Sequence, residues 1–352
     1  MSRERPERRR ALSALFPVNP EAVAALEAEL LLRRNQWCSG LGLATTLHSA
    51  KLAVLPGEVP ALWFESSFDG ELGEHLDDLW EAAGTAFADI LRHAGAERGL
   101  DRAGFGQLLG RCARRSAADR SGHGGRPRSV IDNDARLDQL AQRFLDTVAP
   151  GSEPLSVFEH LRSELVRAEV WLGQWPHATV HTSWVERLRL RGLRRRLRTI
   201  VRSDARRRVH PTSDKERRGA GLFAQTSSLW LFAAPPSGLR RDRLRRWAEV
   251  WDRDAEAREL QRIHSARLHF LDDGRLLLSL IADGSSAMLQ ASLPPSSLRD
   301  LLGGEGVEVG SQIWYSAYPE LSVHDVLRNE RARELLVEPL SASRVAALSA
   351  LF

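Results

Sequence analysis

The chain has 352 residues, of which 43% are hydrophobic and ten are tryptophan. This composition predicts a folded protein with room for two domains, and it excludes an intrinsically disordered chain. No apolar run approaches the roughly 18 residues needed to cross a bilayer, and the charged start MSRERPERRR lacks the apolar core of a secretory signal. The sequence therefore predicts a cytoplasmic protein, with peripheral attachment to a membrane left open.

The formal net charge of +4 is unevenly distributed along the chain. Between Glu186 and Arg218, fourteen arginine and lysine residues stand against four acidic residues, which leaves about −6 for the remainder. The positive charge is therefore expected to form one patch and not to cover the whole surface.

The first 95 residues are predicted to form one β-α-β-β-α unit. RALSALFPVNP predicts a strand, and PEAVAALEAELLLRR predicts a helix with Pro20 near its start. Residues 47–70, LHSAKLAVLPGEVPALWFESSFDG, form two β-rich runs around a Pro-Gly turn and predict a hairpin. ELGEHLDDLWEAAG predicts the second helix. TAFADILRHAGA then occupies the place of a last strand, although its pattern is equally compatible with a helix.

Residues 96–219 are predicted to be a helical, basic connecting region. In SWVERLRLRGLRRRLRTIVRSDARRR, four aliphatic residues spaced three, four and three apart make one apolar stripe, and arginines fill the other faces. Such a helix can pack its stripe on the protein core, lie on an anionic membrane, or contact nucleic acid or an acidic protein. The residues predicted to contact an anionic partner are Arg187, Arg189, Arg191, Arg194, Arg195, Arg196 and Arg198.

Residues 220–320 repeat the first unit. SSLWLFAAPP predicts a strand, the following Arg-rich and Trp-rich stretch a helix, and IHSARLHFLDDGRLLLSLIADG, residues 263–284, a second hairpin. The two hairpins differ by two residues, and the difference falls in the turn, where insertions cost least. A shorter helix and the strand VEVGSQIWYSAY follow, and residues 321–352 are predicted to be a helical tail.

The order of elements in both halves predicts an α+β fold with an internal duplication. Each half reads as a ferredoxin-like β-α-β-β-α-β unit, and two such units are expected to pack as a pseudo-dimeric α/β barrel with the basic helical insertion between them. The oligomeric state stays open, because exposed sheet edges can also pair between chains.

Two hairpins that open with Leu/Ile-His-Ser-Ala-Lys/Arg and close with Asp-Gly resemble a group of poorly characterised bacterial proteins. Those proteins are duplicated ferredoxin-like chains, similar in fold to the dimeric α/β-barrel superfamily that includes dye-decolorising haem peroxidases. The resemblance covers residues 11–95 and 220–320. It implies a central cavity and, as the only cofactor suggested, haem.

His48 and His264 occupy equivalent positions at the start of the two hairpins. Each is a candidate acid/base group or axial haem ligand in the cavity, or else a structural side chain that satisfies a strand end. Lys51 and Arg267 also correspond. They follow the histidines by three residues, so they lie on the opposite face of an ideal strand unless a bulge intervenes.

Asp69 and Asp283, each followed by glycine, are the candidate acids. An Asp-Gly pair after a strand suits a turn in which the carboxylate caps a helix and glycine adopts a positive φ. In the peroxidases that the chain resembles, a distal aspartate lies in Gly-x-x-Asp-Gly. Ser66 and Leu280 stand where the first glycine of that motif belongs, which weakens the peroxidase interpretation.

The remaining ligand-type residues predict no metal site. His160 lies on a predicted helix, His177 and His181 fall in a Pro-containing stretch, and Cys38 and Cys112 lack the spacing of a metal or redox pair. The chain contains no P-loop, GxGxxG after a strand, GxSxG or HExxH motif.

Two functional hypotheses follow. The first is a non-catalytic binding or scaffold protein whose basic helix contacts an anionic partner. The second is a haem- or peroxide-related oxidoreductase that uses His48 or His264 with Asp69 or Asp283. The sequence favours the first slightly, because the peroxidase motif is incomplete.

Overall fold

The computed structural model describes residues 9–44, 46–121, 128–172, 225–233, 263–284, 306–310, 313–317, 323–337 and 339–352. Within these ranges the chain forms two antiparallel sheets and seven α-helices, so the predicted α+β class is confirmed. The first half contains β1 (Arg10–Pro17), α1 (Val23–Leu41), β2 (Leu47–Leu55), β3 (Ala61–Phe68) and α2 (Leu72–Arg92).

The connecting region begins with α3 (Arg102–Cys112), β4 (Ala118–Ser121), α4 (Arg128–Leu145) and α5 (Pro154–Arg167). The second half contributes β5 (Gln225–Phe232), β6 (Ile263–Phe270), β7 (Leu276–Asp283), β8 (Val307–Val309) and β9 (Ile313–Ser316), followed by α6 (Val323–Val337) and α7 (Ala342–Ser349). The basic helix and both helices predicted for the second half lie outside the described residues.

Both predicted hairpins are confirmed. β2 pairs with β3, β6 pairs with β7, and each hairpin has the same irregularity one residue after its start, between Leu47 and Ser49 or between Ile263 and Ser265. The two turns meet, since Arg275 Nη1 donates to the carbonyl oxygen of Pro56 at 2.7 Å. The repeated sequence therefore forms a repeated structure, including its bulge.

The stretch TAFADILRHAGA is helical and not the last strand of the first half. It forms the end of α2, where Phe87, Ile90 and Leu91 are buried against the first sheet and α1. Their spacing of three and one places them on one helical face, and burial of that face decides between the two readings of the pattern. α2 departs from helical geometry at Ala83, with φ −145°.

Each sheet contains one strand from a distant part of the chain. The strand order is β1-β3-β2-β9 in the first sheet and β4-β6-β7-β5-β8 in the second. β9 pairs with β2, and Ser316 lies opposite Ser49. β4 pairs with β6, and Ser121 lies opposite Ser265, the residue equivalent to Ser49. β9 and β4 therefore take equivalent places beside the two hairpins, in the same register.

The first strand of each half, β1 or β5, also has a short segment paired along its outer edge. β8 pairs with β5, and Ala113 forms an isolated bridge with Ala14 of β1, next to which Arg114 N donates to the carbonyl oxygen of Ser13 at 2.7 Å. Ala113 and β4 both come after residue 95, where the sequence predicts that the first unit ends. That boundary stays a prediction.

The two sheets face each other across an apolar layer. It contains Leu15, Ala53, Leu55, Ala61 and Trp63 from the first sheet, Leu229, Leu231, Leu277 and Val309 from the second, and Leu271 from the turn of the second hairpin. The opposite face of the first sheet packs on α1, α2 and α3, so β2 and β3 are buried along their whole lengths. A separate apolar cluster joins α4, α5, α6 and α7. Among the described residues, none of the helices has the length and apolarity required to cross a membrane.

Candidate functional site: paired histidines and a charged cluster between the sheets

The structure brings His48 and Asp69 together at one end of the first hairpin. His48 lies at the bulge of β2, Asp69 directly follows β3, and His48 Nε2 is 2.8 Å from Asp69 Oδ1. The other carboxylate oxygen, Oδ2, accepts a hydrogen bond of 2.6 Å from the backbone N–H of Arg128, the first residue of α4. Burial lowers the pKa of the His48 imidazole, against the attraction of the Asp69 charge. A neutral ring is therefore favoured.

The second hairpin repeats this pair. His264 Nε2 is 2.5 Å from Asp283 Oδ1, and both side chains are buried. Gly70 and Gly284, which follow the two aspartates, have positive φ values of 88° and 113°, as the sequence predicts for the turn. Asp69 does not cap the helix that follows it, as the sequence predicts, but accepts a hydrogen bond from the start of α4. The N-cap residue of α2 is Glu71, whose side chain makes no capping hydrogen bond.

These pairs do not fit a haem site. An axial histidine needs one ring nitrogen directed at iron and space beside it for the macrocycle. Here Nε2 of each histidine faces a carboxylate oxygen, and His48 and His264 have exposed fractions of 0% and 2%. Asp69 and Asp283 face these histidines, whereas the distal acid of a peroxidase has to face the bound peroxide to shuttle its protons.

A second group of polar side chains lies between the two sheets, and we call it the inter-sheet cluster: Ser13, Lys51, Glu65, Ser67, Arg267, His269 and Ser279. All seven are buried. Arg267 Nη1 donates to Glu65 Oε1 at 2.9 Å, and Lys51 Nζ donates to Ser279 Oγ at 2.7 Å. These hydrogen bonds connect side chains of opposite sheets, so the inter-sheet cluster links the two halves of the molecule.

The charges in this cluster shift one another's protonation. Burial lowers the pKa of the Lys51 ammonium to about 8, although Glu65 opposes the shift. Burial alone would raise the pKa of Glu65, but the positive charges of Lys51 and Arg267 outweigh it and hold that pKa below its usual range. Glu65 is therefore a carboxylate at neutral pH, shared by two buried cations.

The repeated hairpin sequences identify Lys51 and Arg267 as equivalent residues but do not point to Glu65 and Ser279. The signal is the register of the hairpins, in which Lys51 lies opposite Glu65 and Arg267 lies opposite Ser279. Counting back from the turns would have found both pairs. The contacts across to the opposite sheet have no such local signal.

A third buried group surrounds His75 of α2. His75 Nε2 is 2.9 Å from Ser66 Oγ, and the ring stacks on Phe68 at a centroid distance of 3.8 Å. Burial lowers the pKa of His75 to about 3. A hydroxyl next to a neutral imidazole is the arrangement of a nucleophile and its base. Ser66 and His75 are 1% and 0% exposed, so this arrangement has no access to substrate.

A fourth group joins α4 and α6. The Asn133 side chain forms two hydrogen bonds with the backbone of Trp171, of 2.9 and 3.0 Å. Arg333 Nε donates to Asp134 Oδ1 at 2.7 Å, and its guanidinium carbon lies 5.1 Å from the Trp171 ring centroid. Burial raises the pKa of Asp134 to about 7, with Arg333 opposing it. These contacts fix the chain where it leaves α5.

The other predicted ligands lie apart from these groups. His160 is exposed on α5, with Nε2 at 3.6 Å from Glu164. A pocket of about 250 Å³ between α4 and α5 is lined mostly by apolar side chains, with Arg143 and Glu164 among them. Within the described residues, His, Cys, Asp and Glu form no group that could hold a metal ion. His177, His181 and the seven arginines from 187 to 198 lie outside the described residues.

Comparisons of the chain with protein-family models, curated proteins and solved structures find no match.

Proposed function

We propose that the chain is a non-catalytic binding or scaffold protein whose arginine-rich segment, residues 186–218, contacts a phosphate-bearing partner. Duplicated ferredoxin-like units would form the rigid body that carries the segment. The order β8-β5-β7-β6 is that of a ferredoxin-like sheet, and Ala113 beside β1 takes the corresponding place in the first half. The equal bulges and the equivalent places of β9 and β4 support a pseudo-dimer within one chain.

One observation carries the preference for binding over catalysis. The four side chains that the sequence offers as acid, base or ligand form two pairs, His48 with Asp69 and His264 with Asp283, inside the protein. Duplicated catalytic machinery would have to present at least one such group to a substrate. Pairing of both copies favours a structural role for these residues.

The composition of the segment favours phosphate as the partner chemistry. Thirteen of its fourteen basic residues are arginine, and the planar guanidinium matches phosphate oxygens with two parallel hydrogen bonds. Nucleic-acid backbones and phospholipid headgroups share this chemistry. Binding only to an acidic protein without phosphate would show that the segment recognises carboxylates and not phosphate.

The experiment measures binding of the purified full-length chain across a salt series. The probes are a fluorescent 20-base-pair duplex, vesicles with and without about 30% anionic phospholipid, and a poly-glutamate peptide. We expect binding to the duplex or to the anionic vesicles, with affinity that falls steeply as salt rises. Binding to neither phosphate-bearing probe, or binding that ignores salt, would contradict the proposal.

A matched pair of variants tests the segment itself. Arg194→Gln, Arg195→Gln and Arg196→Gln together should weaken duplex binding and reduce the slope of log affinity against log salt by about 2 to 3. The control removes the same charge from exposed arginines of the described body, with Arg98→Gln, Arg111→Gln and Arg115→Gln. Equal effects of the two triple variants would place the binding site elsewhere.

A further inference from the structure

Lys51 and Arg267 occupy equivalent positions in the two hairpins, and both direct their charge to the same place between the sheets. Lys51 Nζ donates to Ser279 Oγ at 2.7 Å and to the carbonyl oxygen of Leu280 at 3.2 Å. Arg267 donates to Ser67 Oγ at 2.6 Å and to Glu65 Oε1 at 2.9 Å. Each cation thus reaches across to the sheet of the other half.

One carboxylate lies where these two cations meet. Glu65 Oε1 is 2.9 Å from Arg267 Nη1, 2.9 Å from Ser279 Oγ and 3.8 Å from Lys51 Nζ. Its second oxygen is 3.7 Å from His269 Nε2. Two cations and a hydroxyl around one carboxylate oxygen are the surroundings expected of a bound oxyanion.

The pseudo-symmetry of the site supports this interpretation. The residue opposite Lys51 in its hairpin is Glu65, and the residue opposite Arg267 in its hairpin is Ser279. Each hairpin therefore contributes one cation to the site, but only the first hairpin contributes a carboxylate. At the rim, Asp119 of β4 approaches Arg267 Nε at 3.1 Å with a side chain that is 39% exposed.

We infer that the centre between the sheets is a binding site for a small carboxylate, and that Glu65 is its resident ligand. The inference does not depend on the arginine-rich segment or its partner. It predicts that the site accepts a free monocarboxylate once the carboxyl group of Glu65 is removed. Glu65→Ser does this and makes the position identical to its counterpart, Ser279. The substitution removes the γ-carbon and the carboxyl group and adds only a hydroxyl oxygen, which opens space beside the two cations for the carboxylate group of a small monocarboxylate.

The test compares the Tm of the full-length Glu65→Ser variant in increasing sodium acetate with its Tm in sodium chloride of equal ionic strength. We expect the variant to melt below the wild type in chloride. Acetate up to about 0.3 M should raise its Tm by about 3–6 °C, and above the dissociation constant the rise should follow the logarithm of acetate concentration, as for a single site that binds only the folded state. Acetamide, which is neutral and similar in shape, should have no such effect.

Two controls assign the effect to this site. The wild type should not respond to acetate beyond its response to chloride, because Glu65 already fills the site. The double variant Glu65→Ser with Lys51→Met should respond less than Glu65→Ser alone. A Tm of Glu65→Ser that follows ionic strength only, or an equal response of the double variant, would overturn the inference.

A variant that does not fold in chloride still gives an answer. The yield of folded Glu65→Ser after dilution from urea is then measured by circular dichroism, with acetate, with acetamide and with chloride. Recovery in acetate alone supports the site. Failure to fold in all three solutions counts against it.

Discussion

At the scale of single residues, Lys51 has the most informative protonation. It is one of only two lysines in the chain, and its side chain is buried between the sheets. Because burial lowers its pKa to about 8, the folded protein releases a proton that the unfolded chain keeps until about pH 10.5. Between these values folding is accompanied by proton release, so this group makes the protein more stable as pH rises.

Lys51→Met should remove that rise. At pH 7 we expect the free energy of unfolding to change by less than about 1.5 kcal/mol. Glu65 still has Arg267 as its ion-pair partner, and the variant no longer has to desolvate a buried ammonium group. The difference between wild type and variant should then grow in favour of the wild type, by about 1–3 kcal/mol, between pH 8 and 10. Urea unfolding at half-unit pH steps measures it.

The other lysine provides the control for this prediction. Lys215→Met should leave the alkaline profile of the wild type in place. Parallel profiles of Lys51→Met and the wild type between pH 8 and 10 would show that the Lys51 ammonium is not perturbed as described.

At the scale of the elements, α1 and α2 cross closely at one glycine. A Cβ atom on Gly40 would clash with the carbonyl oxygen of Ala82, one residue before the irregular turn at Ala83. A backbone oxygen cannot rotate aside as a flexible side chain can. Gly40→Ala should therefore lower the free energy of unfolding by about 1–3 kcal/mol, measured by urea unfolding at pH 7.

Gly110 of α3 offers the matched control, because nothing lies within 4 Å of the Cβ that alanine would add there. Gly110→Ala should stabilise the protein by about 0.5–1 kcal/mol through helix propensity alone. Equal effects of the two substitutions would show that the close approach of α1 and α2 is unimportant.

The sequence predicts the elements whose signals are local. Periodicity and turn residues identify β1, α1 and both hairpins, and the repeat identifies the equivalence of His48 with His264. The pairing of each histidine with its aspartate is also within reach of the sequence, since both lie at the same end of one hairpin. The end of α2 is ambiguous because its apolar residues fit either period until the packing partner is known.

Contacts between distant parts of the chain explain what the sequence leaves out. β4 has only four residues, Ala118–Ser121, and its place beside β6 depends on a strand about 150 residues later. The Arg333–Asp134 contact likewise joins residues that share no motif. The bulge at His48 is not visible in the alternation of residue types, yet it decides how the imidazole meets Asp69.

At the scale of the whole molecule, the two halves should unfold together. The first sheet takes β9 from the second half, the second sheet takes β4 from the connecting region, the sheets share an apolar layer, and the inter-sheet cluster connects them. We expect one calorimetric transition, with equal van't Hoff and calorimetric enthalpies, and coincident urea transitions by circular dichroism and tryptophan fluorescence. Two separated transitions would show that the halves are independent domains.

The pairing of β9 with β2 also determines when the protein can finish folding on the ribosome. β2 is complete early in synthesis, but Ser316, which lies opposite Ser49, emerges only about 270 residues later. At about 5–20 residues per second, the edge of β2 waits roughly 13–50 seconds for its neighbour. During that time a nascent first half exposes a strand edge that neighbouring nascent chains can pair with. Translation speed and chaperone supply should therefore affect how much of this protein reaches the folded state.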